Sequence, residues 1–154
     1  MFKKTKKIFS PMSGKTIPIE KVEDEVFAQK MLGTGIAIVP SEGKLCAPFD
    51  AEVVQVFETR HSYTLRASDG LEVLIHIGIN TVELAGEGFE SYVKEGQKVN
   101  SGEILGKVDL VFLKKKGYCV HTPIVFVNGD NFEFDFKYLD TKIGQTLVAT
   151  YYRK

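Results

Sequence analysis

Fourteen glycines and five prolines punctuate this chain, and no stretch between them holds a 3.6-residue apolar period over three turns. What lies between the breaks is short and rich in β-branched and aromatic residues. The runs are Gly35–Val39, Ala51–Phe57, Ser62–Ala67, Leu71–Ile77, Ile104–Val108, Pro123–Val127 and Phe132–Phe136. Turn dipeptides separate them at Ser13-Gly14, Asp69-Gly70, Glu95-Gly96, Ser101-Gly102 and Asn128-Gly129. Glycine enters the positive-φ positions of such turns without a steric penalty. Short strands at close intervals predict an all-β sandwich or barrel. Only Phe89–Lys94 reads as a helical turn. A length of 154 residues fits one domain.

Leu71–Ile77 can be read by face, because side chains alternate along a strand. Leu71, Val73, Ile75 and Ile77 form one apolar set, which should be core. His76 then points the other way, toward a surface or cleft, and Leu74 shares its face. For His61 a bend near Arg60 decides the register. In Gly96-Gln97-Lys98-Val99-Asn100-Ser101-Gly102-Glu103-Ile104-Leu105, Val99 and Leu105 should be buried between two turns. That rhythm resembles the turn of biotinyl and lipoyl carrier domains, but no lysine stands in a Met-Lys-Met setting. It is therefore read as compact architecture.

The chemistry-bearing residues are few. Phosphate-cradling glycine loops, a Gly-x-Ser-x-Gly elbow and zinc-hydrolase spacings are all absent. Cys46 and Cys119 lack metal-type spacing, and neither sits beside a histidine in sequence. What remains is His61 and His76, fifteen residues apart. That spacing suits neighbouring strands joined at Asp69-Gly70, bringing both rings to one site.

Several separated motifs then resemble one family in the right order. His76-Ile77-Gly78-Ile79-Asn80-Thr81-Val82-Glu83-Leu84 leads into Gly86-Glu87-Gly88-Phe89. Around it stand Gly35-Ile36-Ala37-Ile38, Ala47-Pro48, Phe57-Glu58-Thr59, His61, Glu95-Gly96-Gln97, Val108-Asp109-Leu110 and Thr122-Pro123. Together they resemble the glucose-family IIA component of the phosphoenolpyruvate-dependent sugar phosphotransferase system, over all but the extreme termini.

The resemblance implies an antiparallel β-sandwich with a shallow active-site depression. It implies a cytoplasmic phosphoryl carrier, charged by the histidine-containing phosphocarrier protein and discharged to a cysteine in the IIB domain of a sugar permease. Glucose is the family's default sugar. Regulatory binding to other proteins is a further role it implies. His76 matches the phosphorylated histidine, His61 the histidine that supports transfer, and Thr59 its neighbour. Val26, Met31, Leu32, Phe57, Leu74 and Val82 match an apolar rim for partner docking, and Asp24 a carboxylate for a partner's basic residue. Taken alone, Phe57 and Val82 read as core.

The physical case stands beside this. An imidazole with a pKa of about 6.5 is largely neutral and nucleophilic near pH 7. Phosphoryl transfer asks chiefly for in-line positioning and charge stabilisation. His61 can donate an N–H to phosphoryl oxygens, with Thr59 fixing its tautomer. Gly78, lacking a Cβ, can let backbone N–H groups approach the phosphate. The step needs neither metal nor cofactor. Asn80 stands where many relatives carry Asp, so a docking charge is missing there. His121 reads as a loop or packing histidine, and Lys114–Lys116 as a solvated loop.

Charge sharpens the reading. Twenty basic residues balance twenty acidic ones, and a general nucleic-acid binder would show a basic excess. Yet Lys3, Lys4, Lys6 and Lys7 crowd one end, leaving 16 basic against 20 acidic residues elsewhere, a net of −4. No apolar stretch follows them, so they do not form a signal peptide. The division expected is a flexible basic segment over 1–9 and one domain over 10–154. The segment has two readings: a solvated, frayed terminus, or an arm on anionic lipid, each lysine adding about 1 kcal/mol. A zinc peptidase of the lysostaphin type shares the Gly-Gln-Lys-Val run. Its ligands fail, because Leu65 follows His61 by four and Pro123 follows His121 by two.

Overall fold

A computed structural model describes residues 4–154. They form β1 (Lys6–Phe9), β2 (Gly14–Pro18), α1 (Glu25–Ala28), β3 (Thr34–Pro40), β4 (Lys44–Cys46), β5 (Ala51–Val56), β6 (Ser62–Arg66) and β7 (Glu72–His76). Then come β8 (Phe89–Ser91), β9 (Lys98–Val99), β10 (Ile104–Val108), α2 (Leu110–Lys115), β11 (Thr122–Phe126), β12 (Phe132–Phe136), β13 (Asp140–Thr141) and β14 (Leu147–Arg153). The main sheet has eight strands in the order β13-β2-β3-β11-β7-β6-β5-β9. Two three-stranded sheets, β1-β14-β12 and β4-β10-β8, complete the sandwich. Every pairing is antiparallel, and among the described residues the sheets stay open instead of closing into a barrel.

Alternation along β7 builds two cores. Leu71, Val73, Ile75 and Ile77 are buried as predicted and join Ile36, Ile38, Val53, Tyr63, Leu65 and Phe126 in the main core. The opposite face carries a smaller cluster of Ile19, Val22, Phe27, Ala37, Ile79 and Val125, with Leu74 packed against it. Phe27 comes from α1, whose first turn is capped by Asp24: its Oδ1 accepts from the Val26 N–H at 2.9 Å. An aspartate at this position satisfies an otherwise unpaired helix N–H. Val99, between the turns at Gly96 and Gly102, and Leu105, three residues past the second, are both buried.

Three expectations need correction. Phe89–Lys94 is not a helical turn: Phe89–Ser91 is β8, paired with β10 through Val108↔Phe89, and that pairing overrides a weak local preference. Lys114–Lys116 closes α2, where cations suit the exposed carbonyl end; Asp109 caps the other end by accepting from the Phe112 N–H at 3.0 Å. The basic segment does not extend to residue 9. Lys6–Phe9 is a strand on β14, Ile8 is 1% exposed in the main core, and the Lys6 ammonium lies 3.0 Å from Asp69. Ile8 is thus committed to the core and withheld from a lipid surface, while Lys6 pairs with Asp69 at the surface. Phe2 and Lys3 lie outside the described residues. Among the described residues no helix is long and apolar enough to cross a membrane.

The N-terminal strand should therefore matter for stability. Ile8→Ala is expected to lower the unfolding free energy by about 2–4 kcal/mol, and removing residues 1–9 by at least as much, in urea titrations. An unchanged midpoint after the deletion would show that β1 is dispensable.

Candidate functional site

The site grows from one register. Antiparallel pairing of β6 and β7 sets Ser62 opposite His76, and the Ile77 N–H donates to the His61 carbonyl at 2.7 Å. By strict alternation His61 would share the core face of Tyr63. A bend reverses it. Phe57–Arg60 forms a turn closed by the Arg60 N–H on the Phe57 carbonyl at 2.7 Å, and Arg60 sits in the left-handed region at φ 61°. His61 therefore meets His76 edge-on, with ring centroids 4.9 Å apart.

Each ring is held at Nδ1. His76 Nδ1 lies 2.7 Å from the Gly78 carbonyl oxygen, which can only accept. Nδ1 must therefore carry the proton, leaving the Nε2 lone pair free. His61 Nδ1 lies 2.6 Å from the Thr59 hydroxyl, the contact expected from Thr-x-His. Gly78 has φ +76°, and a Cβ there would stand 2.5 Å from Thr81 Cγ2. No other residue suits that turn. What Gly78 visibly supplies is its carbonyl, where the sequence suggested N–H groups for phosphate.

Aromatic walls enclose the pair. Phe27 approaches His76 at 5.2 Å, and Phe57 and Phe89 approach His61 at 5.1 and 6.3 Å. Sequence reasoning missed Phe27 and Phe89 as site residues. Phe89 closes the family-like signature and Phe27 lies within the Asp24–Leu32 rim segment, but neither position reveals that its ring faces an imidazole. Burial first, then the charge of His76, pushes the His61 imidazole from 6.5 down to about 4. Burial likewise lowers His76, while the Gly78 hydrogen bond and the Asp24 carboxylate oppose the shift. Both rings are neutral at pH 7.

The rim is exposed where a partner would need it. Val26, Met31 and Leu32 are exposed, and so are Phe57 at 43% and Val82 at 47%, which overturns the core reading of those two residues. Leu74 is half-buried on the His76 face, against the smaller core. Asn80 is exposed with φ 61°, a conformation asparagine tolerates better than most residues. His121 is half-buried just before β11, its Nδ1 without a hydrogen-bond partner. Among the described residues no group of three or more His, Cys, Asp or Glu side chains could hold a metal ion.

Comparison with known proteins agrees. The model of the phosphoenolpyruvate-dependent sugar phosphotransferase system EIIA 1 family matches residues 6–132. The chain is 44% identical over 145 residues to the PTS system glucose-specific EIIA component of Halalkalibacterium halodurans, covering 93% of this chain and 84% of that one. It is 45% identical over 132 residues to the PTS system glucosamine-specific EIICBA component of Bacillus subtilis, spanning 86% of this chain but only 21% of that protein. The solved glucose permease IIA of Mycoplasma capricolum superposes with a TM-score of 0.90 at 39% identity, over 97% of both chains. Fold and sequence thus define a phosphotransferase component, a phosphoryl carrier of sugar transport. Within that class, the chain belongs to the EIIA 1 family of the phosphoenolpyruvate-dependent sugar phosphotransferase system.

Neutral burial of the imidazoles has a consequence for stability. In the unfolded chain His61 returns to a pKa of about 6.5 and binds a proton that the folded state refuses until about pH 4. Stability from this source is complete above pH 6.5 and falls as the pH drops toward 4. Thermal midpoints should decrease between pH 7.5 and 5.0, and less so in His61→Gln. An equal decrease in the variant would remove His61 as a cause.

Proposed function

We propose that His76 is the phosphoacceptor, charged on Nε2 by the histidine-containing phosphocarrier protein and discharged to a cysteine of the IIB domain of a glucose permease. One observation carries this reading: His76 Nδ1 is tied to the Gly78 carbonyl while a second imidazole stands 4.9 Å away. The Nε2 lone pair attacks the donor's phosphorus. A new N–P bond forms, and the donor imidazole leaves with the electrons of the old one. The His76 ring becomes cationic and keeps its Nδ1 proton, so its bond to Gly78 strengthens. The Asp24 carboxylate favours that charge. In the second step the permease thiolate attacks phosphorus, and His76 departs neutral.

His61 supports both steps. With its Nδ1 accepting from the Thr59 hydroxyl, its Nε2–H is free to donate to the phosphoryl oxygens as charge builds on them. Thr59 orients the ring without touching the phosphoryl group. Val26, Met31, Leu32, Phe57 and Val82, with Leu74 beneath them, supply apolar surface that docks partners and keeps water from the phosphohistidine. Asn80 offers polarity without charge at this rim, so docking there relies on apolar contact and on Asp24. The same face suits regulatory target proteins, and the carrier acts in the cytoplasm. Peripheral membrane contact would fall to the exposed side chains of residues 1–9, Lys7 among them, since Ile8 is committed to the core.

The test is chemical. Incubation with phosphoenolpyruvate, the system's first enzyme and the phosphocarrier protein should add one acid-labile phosphoryl group, read by intact mass. His76→Ala should abolish the gain. His61→Gln should retain acceptance yet slow passage to the IIB domain by about 10²–10³-fold, the usual cost of losing one stabilising donor. Phosphate uptake by His76→Ala would sink the assignment.

A further inference from the structure

The acceptor's tautomer depends on a carbonyl, and something must hold that carbonyl still. The backbone from Ile77 to Ile79 is tied at each end. The Ile77 N–H donates to His61, and the Ile79 N–H donates to the Cys119 carbonyl at 3.0 Å. Between them, one side chain grips the segment. Thr81 is fully buried, and its hydroxyl donates to the Ile77 carbonyl at 2.6 Å. Its methyl group fills the space that a Cβ on Gly78 would occupy, since the two would lie 2.5 Å apart. Thr81 therefore clamps the Ile77–Gly78 peptide from two directions.

We propose that Thr81 is a positioning residue for phosphoryl transfer: its hydroxyl, held on the Ile77 carbonyl, aims the neighbouring Gly78 carbonyl at His76 Nδ1 and so keeps Nε2 deprotonated and facing outward. The proposal rests on the reading of His76 as phosphoacceptor. Geometry explains why threonine serves. The hydroxyl reaches back four residues to the Ile77 carbonyl, and Thr81 opens the single turn Thr81–Leu84 that follows Asn80. A valine would keep the shape and leave the buried carbonyl of Ile77 without its donor, freeing the peptide to rotate. A serine would keep the donor and lose the methyl contact. The Gly78 requirement noted above follows from the same clamp, because any side chain there would displace the Thr81 methyl.

The test separates aiming from mere stability. Nitrogen-15 spectra of the full chain, labelled at histidine, report which ring nitrogen of His76 carries the proton, and need no phosphate. Wild type and Thr81→Ser should show the Nδ1–H form. Thr81→Val should shift toward Nε2–H, and its phosphoryl acceptance should fall by about tenfold or more, as expected for a misaimed reacting group. Thr16→Val is the control. Thr16 is also fully buried and donates to the Lys137 carbonyl at 2.8 Å, from β2, three strands along the sheet from β7. It should lose stability while leaving the His76 pattern and acceptance unchanged. A wild-type pattern and rate in Thr81→Val would overturn the proposal. So would loss of the Nδ1–H form in Thr81→Ser, which decides the matter if Thr81→Val does not fold. A wild-type protein that shows the Nδ1–H form but takes no phosphate on His76 would instead refute the assigned function.

Discussion

Everything at this site depends on the short contact between β6 and β7, where Ser62 faces His76 and the Ile77 N–H reaches the His61 carbonyl. A one-residue slip would send every side chain of a strand to the other face. Here the register is fixed by burial, because Val73, Ile75 and Ile77 have no other place to go. Hydrophobic patterning on one face therefore positions the imidazole on the other. The core selects the register, and the register carries His76 to the rim.

The second face turns position into reactivity. Phe27, brought over the sheet by the capped turn of α1, walls His76, while Phe57 and Phe89 wall His61. Burial disfavours charge on either ring, so both are neutral bases under ordinary conditions. The hydrogen bond to the Gly78 carbonyl then chooses which nitrogen of His76 is nucleophilic. Desolvation supplies neutrality, and the backbone supplies direction. These two effects come from different elements, yet they converge on one ring.

Much of this was legible in the residues. The alternation in Leu71–Ile77 gave the correct core face, and the Thr-x-His pattern anticipated the Thr59 contact. Among the strands missed, β1, β4, β9 and β13 are two to four residues long and owe their form to partners distant in sequence, while β2 and β14, of five and seven residues, were missed as well. Phe89–Lys94 misled for the same reason, since β10 lies beyond its local window. Phe57 and Val82 look like core by composition. They are exposed where the chain leaves the sheet, Phe57 just past the end of β5 and Val82 in the turn Thr81–Leu84, a property of the chain's path and not of the side chain. Ile8 is the converse case: a basic surrounding suggested a free tip, but one isoleucine is enough to anchor a strand when a partner edge is waiting.

The sequence by itself determined that this chain is built of antiparallel β-strands, that His61 and His76 lie at neighbouring strands, and which family it resembles. Those properties are written in local patterns: alternation, turn residues, and ordered motifs. Only the tertiary structure decided the roles of single atoms. That Nδ1 of His76 is bound and Nε2 free, that Arg60 turns His61 across the sheet, and that Thr81 grips the Ile77–Gly78 peptide all depend on contacts made across turns and between strands. Such contacts require both partners to be placed to within tenths of an ångström. A linear pattern can name the partners, but only packing can bring them to that distance.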